Sequence, residues 1–319
     1  MNTASLLLLP SLLLTACKSE PAGDSAAALP TLDPPAAGEG FQVSMSGLAP
    51  GYSEVWLCEV YDLPTDDYAA VHSVEWLQND GTHHMTMSTL GLTGGDLAPG
   101  SYDCNDLYGD SSLMQDQIMF FGNQGSGTGT MTLPDGVAAN LPPALQVIQE
   151  VHYVNATADD VPLYSILNAY TIPQDDIEEM IWGGSVRDET IEIPPQSTKT
   201  EWSRCVFNED VDVIFLASHT HARGVNFTIA PFDGTTVGDV IFENTDWHDP
   251  MITQFDPPLH MPAGTGFEWA CTWENTGDTT VNYGLTATDE MCNLAEVHTP
   301  FSVTAACEVV ETSDGVLWE

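Results

Sequence analysis

The chain has 319 residues, 43% of them hydrophobic, which is enough for two domains or one large all-β unit with a sizeable core. Its formal net charge is −42, from 47 acidic residues against five Lys and Arg. Such a polyanion has no basic patch and repels nucleic acid, so DNA and RNA are excluded as partners. The acidic surface serves either solubility, as in salty surroundings, or the gathering of cations.

The N-terminus has the pattern of an export signal. Residues 6–14 are rich in leucine but too short, and too interrupted by proline, to span a bilayer as a mature helix. We predict a signal peptide over residues 1–17 and a flexible tether over residues 18–38, which are rich in Ala, Pro, Ser and Asp. The Leu-Thr-Ala-Cys ending resembles a bacterial lipobox.

That resemblance implies that Cys17 becomes the lipidated N-terminus after cleavage. We therefore expect the chain in the cell envelope, at the outer membrane, with the lipid anchor as its single contact with the membrane. An ordinary secreted protein is the alternative. In either case the chain is exported to an oxidising compartment, where the six remaining cysteines suit three disulfides. The sequence alone leaves their pairing open.

Short apolar runs alternate with turn-forming Gly, Pro, Asn and Asp from Gly40 onward. Residues 174–181 are expected to form at most two helical turns, and Pro194-Pro195 mark the best candidate boundary. The pattern predicts an all-β chain of two tandem, jelly-roll-like β-sandwich domains, over residues 39–193 and 194–319. The predicted strands include 41–45, 54–58, 71–76, 130–133, 145–154, 164–167, 211–216, 225–229, 237–242, 266–273, 281–287 and 303–310.

A His-x-His pair follows the β-branched run 211–217, which favours a strand. Side chains two residues apart on a strand point the same way, so His219 and His221 would project together and grip a metal. Two histidines on a solvent-exposed face are the alternative.

A second pair, His83-His84, requires an irregular backbone, because adjacent side chains diverge in a regular strand. Asp80-Gly81 just upstream would permit such a bulge. The alternative is a chance pair near a turn.

Two further residues have both a chemical and a structural interpretation. His152 lies in a predicted strand, as a core histidine or as a ligand whose ring is oriented by Glu150 on the same face. Met291 is either core filler or a soft ligand that favours Cu(I), in a loop that a disulfide at Cys292 could anchor. The other histidines lack paired spacing and are predicted to be surface or structural residues: His72, His248, His260 and His298.

Four motifs stand in a fixed order: His-His-Met (83–85), Val-His-Tyr (151–153), His-Thr-His (219–221) and Asp-Glu-Met-Cys-Asn (289–293). Together they resemble the copper type II, ascorbate-dependent monooxygenases, which include peptidylglycine α-hydroxylating monooxygenase and dopamine β-hydroxylase. The resemblance spans about residues 40–310. It implies two β-sandwich domains with one copper in each, two ions per chain, facing across a solvent-filled cleft.

By this resemblance, one electron-transfer copper would be held by His83, His84 and His152. The oxygen-activating copper, where catalysis occurs, would be held by His219, His221 and Met291. The implied reaction inserts one atom of O₂ into an activated C–H bond of a small-molecule substrate and releases the other as water. Ascorbate or another one-electron donor would reduce both coppers. The implied disulfides are Cys58–Cys104, Cys205–Cys307 and Cys271–Cys292.

Some positions depart from the peptide-amidating branch of that family. Ala217 replaces an arginine that clamps the substrate carboxylate, Ala295 replaces a substrate-contacting tyrosine, and Glu150 replaces a glutamine. Asn293 matches a substrate-contacting asparagine. We therefore expect a neutral or cationic small molecule and not a C-terminal glycine-extended peptide.

Two other functions are compatible with the sequence. The same residues would serve a non-catalytic copper-binding lipoprotein that chelates or buffers copper in the envelope. A surface adhesion or calcium-binding sandwich would use acidic loops such as Asp175-Asp176.

Overall fold

In the computed structural model, the chain is described over residues 29–90, 97–108, 117–124, 127–248, 250–286 and 288–315. The predicted signal peptide, Cys17 and residues 18–28 lie outside these ranges. The described residues from Thr31 onward belong to one compact unit. In the ranges just given, no helix combines the length and the apolar character that a membrane crossing requires.

The strands between residues 40 and 180 form two sheets. They are β1 (Gly40–Ala49), β2 (Ser53–Asp62), β3 (Ala69–Gln78), β4 (Thr82–Leu90), β5 (Gly100–Asp103), β6 (Gln117–Gln124), β7 (Gly127–Thr132), β8 (Val137–Leu141), β9 (Gln146–Asn155), β10 (Val161–Ile172) and β11 (Glu179–Met180). One sheet has the order β1-β10-β3-β8-β11, with β7 also beside β3, and the other has the order β5-β2-β9-β4-β6. Their facing side chains enclose one core, which contains Phe41, Trp76, Met87 and Val151.

The strands after residue 180 form a second pair of sheets and a small ribbon. They are β12 (Trp182–Arg187), β13 (Glu192–Ile193), β14 (Ser197–Phe207), β15 (Val211–His219), β16 (Gly224–Phe232), β17 (Phe242–Asn244), β18 (Thr253–Met261), β19 (Gly266–Asn275), β20 (Val281–Asn282), β21 (Asn293–Thr299) and β22 (Cys307–Thr312). The sheet orders are β12-β21-β15-β18 and β17-β16-β19-β14-β22, and β13 pairs with β20. Phe207, Leu216, Trp269 and Leu294 lie in the core between the two sheets.

The all-β prediction is confirmed, since helical structure in the described ranges is confined to α1 (Cys104–Leu107) and a 3₁₀ turn over Gln174–Asp176. Burial follows the two-residue period of a half-buried strand in β14, which was not among the predicted strands. The central strand β9 departs from this period and is buried on both faces. One of its faces packs in the core, and the other carries Glu150 and His152.

Three predicted strands are wrong in their extent. Over 237–242 the chain follows β16 loosely, through Gly238 N–H to Pro231 O, and a strand begins at Phe242. Over 281–286 the chain is extended in β20 alone, because it then turns back and Gly284 N–H donates to Glu290 O, and residue 287 lies outside the described residues. The last strand, β22, begins at Cys307 rather than at residue 303.

The change from the first pair of sheets to the second falls between β11 and β12. β12 and β13, which precede the predicted boundary at 193/194, pair with β21 and β20. The division into two domains at that boundary stays a prediction.

The two pairs of sheets contact each other through a small hydrophobic cluster, which contains Leu133, Val137, Ile214 and Phe215. The Gln254 side chain adds a hydrogen bond to Thr132 O, at 3.2 Å. These contacts hold β15 and β21 opposite the first pair of sheets.

The cysteine pairs that the resemblance implied are present as disulfides: Cys58–Cys104, Cys205–Cys307 and Cys271–Cys292.

Candidate functional site

A β-bulge brings His83 and His84 to the same side of β4. Thr82 lies opposite Tyr153 on β9, and His84 lies opposite His152, so His83 is the extra residue. Gly81, at φ +88°, supplies the left-handed backbone just before the bulge. The predicted irregular backbone is therefore present, with ring centroids 5.2 Å apart for His83 and His84 and 5.1 Å for His84 and His152.

His219 and His221 are also brought together, but not by strand alternation alone. β15 ends at His219, and His221 lies in the loop that follows. The His221 N–H donates to Glu290 Oε2 at 3.0 Å, and its Nδ1 lies 3.1 Å from Asp289 O. The two rings are 5.2 Å apart. The expected proximity is confirmed, whereas the expected strand geometry is wrong for His221.

The two sets of histidines meet at His83. Its ring centroid lies 5.4 Å from those of both His219 and His221, and the His84 ring lies 5.7 Å from that of His219. Two triads have ligand atoms within 4.8 Å of one another: His83-His84-His152 and His83-His219-His221. The structure differs here from the implied pair of sites across a solvent-filled cleft, because the hydrophobic contact between the sheets brings the rings together.

The Met291 loop is tied to the His-x-His loop by Glu290. The Glu290 carboxylate is fully buried and accepts the backbone N–H groups of His221 and Arg223, the latter at 2.7 Å. Burial raises the pKa of Glu290, and these N–H groups oppose that rise. The Cys271–Cys292 disulfide ties Cys292, the residue after Met291, to β19. Both anchors therefore hold Met291 beside the histidines.

Carboxylates lie behind two of the rings. His84 Nε2 is 3.4 Å from Glu150 Oε1, and His152 Nε2 is 2.6 Å from Glu54 Oε1. The prediction that Glu150 orients His152 is wrong, because successive residues of β9 that share a face lie too far apart along the strand, whereas His84 reaches across from β4. With Nε2 engaged in both rings, Nδ1 is the nitrogen left for a metal.

The donor set fits copper. Both ring nitrogens of His83 and the Nδ1 of His84 are buried without a hydrogen-bond partner. Buried polar atoms normally have a hydrogen-bond partner. Several buried ring nitrogens without a partner in one cluster are therefore typical of metal ligands. Imidazoles with a nearby thioether suit copper better than calcium or magnesium.

Four of the histidines, namely His83, His84, His219 and His221, are held in the neutral form that binds metals. Burial, followed by the neighbouring His84 and His152, lowers the pKa of His83 to about 2. Burial also lowers the pKa of His221 to about 4, despite the opposing hydrogen bond with Asp289 O. The pKa of His219 falls well below its ordinary value for the same first reason. Protons therefore do not compete with a metal near pH 7.

A cavity of about 1030 Å³ opens beside these residues. Its lining includes His84, His152, His219, His221 and Met291, together with Asn293, whose side-chain amide donates to Met291 Sδ at 3.4 Å. Most of the remaining wall is apolar, and it includes Met119, Phe121, Leu133, Phe215 and Val297.

Several residues at the site were not found from the sequence. Glu54 is brought to His152 by the pairing of β2 with β9, and Tyr108 donates to Glu150 at 3.2 Å. The Trp247 ring lies 5.8 Å from that of His83. Among the site residues whose role was not predicted, only Glu290 had a sequence signal, because it belongs to the Asp-Glu-Met-Cys-Asn motif.

The remaining histidines are structural or exposed, as predicted. His72 Nδ1 lies 2.9 Å from Val137 O, and His260 pairs with Asp212 at the surface. His298 is buried against Glu296 in the second core. His248 is exposed, although it is close enough to help lower the pKa of His83.

Comparison with known proteins gives one family match. Residues 179–315 match the family model described as copper type II ascorbate-dependent monooxygenase, C-terminal domain, so this part of the chain is similar to that domain. No curated protein sequence matches the chain. Among solved structures, the chain is similar to the PBCV-1 VP54 structure fitted into a reconstruction of the virophage Sputnik, at 9% identity and a TM-score of 0.23 over 87% of this chain and 98% of that one. A likeness this low carries no argument.

Proposed function

We infer that the chain is a copper-dependent monooxygenase that hydroxylates an activated C–H bond of a small molecule, using O₂ and a one-electron donor such as ascorbate. One observation carries this proposal most directly. The clustered histidines include His83 and His84, whose ring nitrogens are buried without a hydrogen-bond partner. His84, His152, His219 and His221 line a mostly apolar cavity together with Met291. The family match over residues 179–315 supports the same chemistry.

Two sets of residues would hold copper. His83, His84 and His152 would hold the electron-transfer ion, and the other ion would be held by His219, His221 and Met291. Bound copper supplies one-electron redox chemistry and the activation of O₂, and a thioether favours its reduced state.

The protein residues have three tasks around this centre. Glu54 and Glu150 keep the Nε2 atoms of His152 and His84 engaged, so the rings present Nδ1. The apolar cavity wall excludes water from the reacting carbon. The Asn293 amide lies beside the Met291 sulfur, where it would contact substrate.

The proposed reaction uses one O₂, two electrons and two protons for each hydroxylated product. One oxygen atom enters the C–H bond as a hydroxyl group, and the other leaves as water. The two electrons come from the donor, in one-electron steps, and two protons come from solvent. The lipidated Cys17 would hold the two β-sandwich domains in the cell envelope, where small molecules and the donor have access.

Oxygen uptake by the copper-loaded protein tests this function. With ascorbate present, a substrate should raise the rate, and O₂ consumed should equal hydroxylated product formed. Met291→Ala should abolish that coupled uptake. Slow uptake that is indifferent to every added compound, in a protein that still binds copper, would instead indicate copper chelation or buffering. A chain that binds calcium but little copper would indicate the calcium-binding sandwich.

A further inference from the structure

The floor of the cavity is a regular array of side chains on β12, β21 and β15. The register pairs Arg187 with Asn293 and Asn293 with His219 in one row. Two residues further along the strands, the next row is Ser185, Ala295 and Ala217, and the third is Gly183, Val297 and Phe215. Residues two apart share a face, and all nine residues line the cavity.

These rows set distances from the candidate copper ligands. An antiparallel strand rises about 3.4 Å per residue, so neighbouring rows lie about 7 Å apart. The row at His219 is polar, the second row contains small side chains, and the third row is apolar. A substrate whose reacting carbon lies at His219 therefore has its body over Ala217 and Ala295, and its far end over Phe215 and Val297.

The opposite wall continues the apolar character. Met119, Phe121, Met131 and Leu133, which belong to or adjoin the first pair of sheets, all line the cavity. Aromatic and sulfur-containing side chains of this kind bury a flat or flexible hydrocarbon well. The space above the alanines is therefore enclosed by hydrocarbon on both sides.

The cavity offers no free cation to a carboxylate or phosphate. Among the described residues that line it, Arg187 is the sole lysine or arginine, and its Nε is 2.8 Å from Glu189 Oε1. The buried acids in the wall also have partners, since Glu150 contacts His84 and Tyr108, and Glu296 contacts His298. A charged group placed over the alanines would lose its hydration without gaining a partner.

We propose that the substrate is an uncharged, elongated and mainly apolar molecule, oxidised near the end that reaches the His219 row. This inference rests on the proposed function, and it narrows the sequence-based expectation by removing the cationic class. The small side chains of Ala217 and Ala295 determine the specificity, because they leave the width that the apolar body requires.

Binding to the metal-free protein tests the substrate class separately from turnover. The probes share one skeleton and differ in charge: 4-phenylbutan-1-ol, 4-phenylbutylamine and 4-phenylbutyrate, each titrated by calorimetry. We expect the alcohol to bind at least about tenfold more tightly than either ion, because an ion desolvated without a partner loses free energy. Equal or tighter binding of the amine or the carboxylate would overturn the proposal.

Variants then locate the binding. Ala217→Leu and Ala295→Leu should each weaken binding of the alcohol about tenfold, since they fill the middle row, while Ala263→Leu, on an exposed loop, should not. Ala217→Arg should reverse the preference in favour of the carboxylate. Thermal unfolding identifies any variant that fails to fold. The test of the binding position then rests on the substitution at the other alanine.

Unchanged binding in folded Ala217→Leu and Ala295→Leu would refute the proposed position of the substrate. A protein that binds the alcohol as expected but never hydroxylates any compound would refute the proposed function alone. Turnover of charged substrates only would refute this inference alone.

Discussion

At the scale of single residues, the site depends on carboxylates that contact the candidate ligands and are not ligands themselves. Glu54 and Glu150 engage the Nε2 atoms of His152 and His84, and each thereby fixes the direction of one ring. Burial would raise the pKa of Glu150, but its hydrogen bonds, the one with His84 first and those with Trp56 and Tyr108 after it, bring the pKa below its ordinary value. Glu150 is therefore ionised near pH 7, close to where a cation would bind.

Replacing either carboxylate should weaken copper binding without unfolding the protein. We expect Glu150→Gln and Glu54→Gln each to lower copper affinity by about tenfold or more, the usual effect of losing a group that orients a ligand. Competition with a chromophoric chelator measures this. Glu192→Gln, at an exposed position, is the matched control. Affinities equal to that of the control would show that these contacts do not position the rings.

A second prediction concerns the buried carboxylate of Glu290. Glu290→Ala removes the acceptor of the His221 and Arg223 N–H groups, at a cost of about 3 kcal/mol in the free energy of unfolding, as expected for hydrogen bonds to a charged group. Denaturant unfolding of the metal-free protein measures the loss. If the free energy of unfolding stays within about 0.5 kcal/mol of the parent value, as surface substitutions normally do, the two loops are held together by other contacts.

At the scale of elements, the bulge in β4 and the end of β15 are the two irregularities that build the site. A regular β4 would send His83 and His84 to opposite faces. The chain beyond His219 leaves the strand, so that Glu290 and Asp289 direct His221. Both irregularities lie where β4 and β15 present their ligands to the same cavity.

The bulge can be tested through the glycine that precedes it. Gly81→Ala forces an alanine into a left-handed conformation, costing about 1–2 kcal/mol, and puts its Cβ 3.2 Å from the Tyr153 ring. Gly127→Ala has a similar φ, +84°, but no atom within 4 Å of its Cβ. We expect both to lower stability and Gly81→Ala alone to weaken copper binding. Equal copper affinities in the two variants would show that the bulge does not position the copper ligands.

The sequence predicted the strands and the candidate metal ligands better than it predicted the side chains that contact those ligands. The alternating apolar runs and the ordered motifs were local signals, so the all-β class and the histidine pairs followed from them. The roles of Glu54 and Tyr108 were not predicted, because only the pairing of β2 with β9 and the fold near Tyr108 bring these side chains to the site. The strand predicted over 281–287 failed for a different reason, because the chain turns back on itself there through backbone hydrogen bonds from Gly284 N–H to Glu290 O and from Glu290 N–H to Asn282 O.

At the scale of the whole molecule, the contact between the two pairs of sheets determines the site. Leu133 and Val137 pack against Ile214 and Phe215. That contact brings the His83 ring to 5.4 Å from the His219 and His221 rings. No motif in the sequence reports this distance, so the resemblance alone led to an expectation of separated sites.

The net charge of −42 gives a further prediction at this scale. Repulsion among acidic groups destabilises the compact state, and salt screens it, since the Debye length falls from about 10 Å at 0.1 M to about 3 Å at 1 M. We expect the Tm to rise by at least about 2 °C over this range, equivalent to about 1 kcal/mol for a large domain. Sodium and potassium chloride should act alike. A Tm that falls with either salt would contradict a stabilising role for screening.

The proposed function depends on two coppers held by these histidines, with Met291 as a ligand to one of them. X-ray absorption at the copper edge of the reduced, copper-loaded protein tests it most directly, together with the copper content per chain. We predict two coppers, a sulfur scatterer that disappears in Met291→Ala, and loss of about one copper in His219→Ala. Copper loading that is indifferent to Met291, His219 and His83, or a parent spectrum without sulfur, would contradict the assignment.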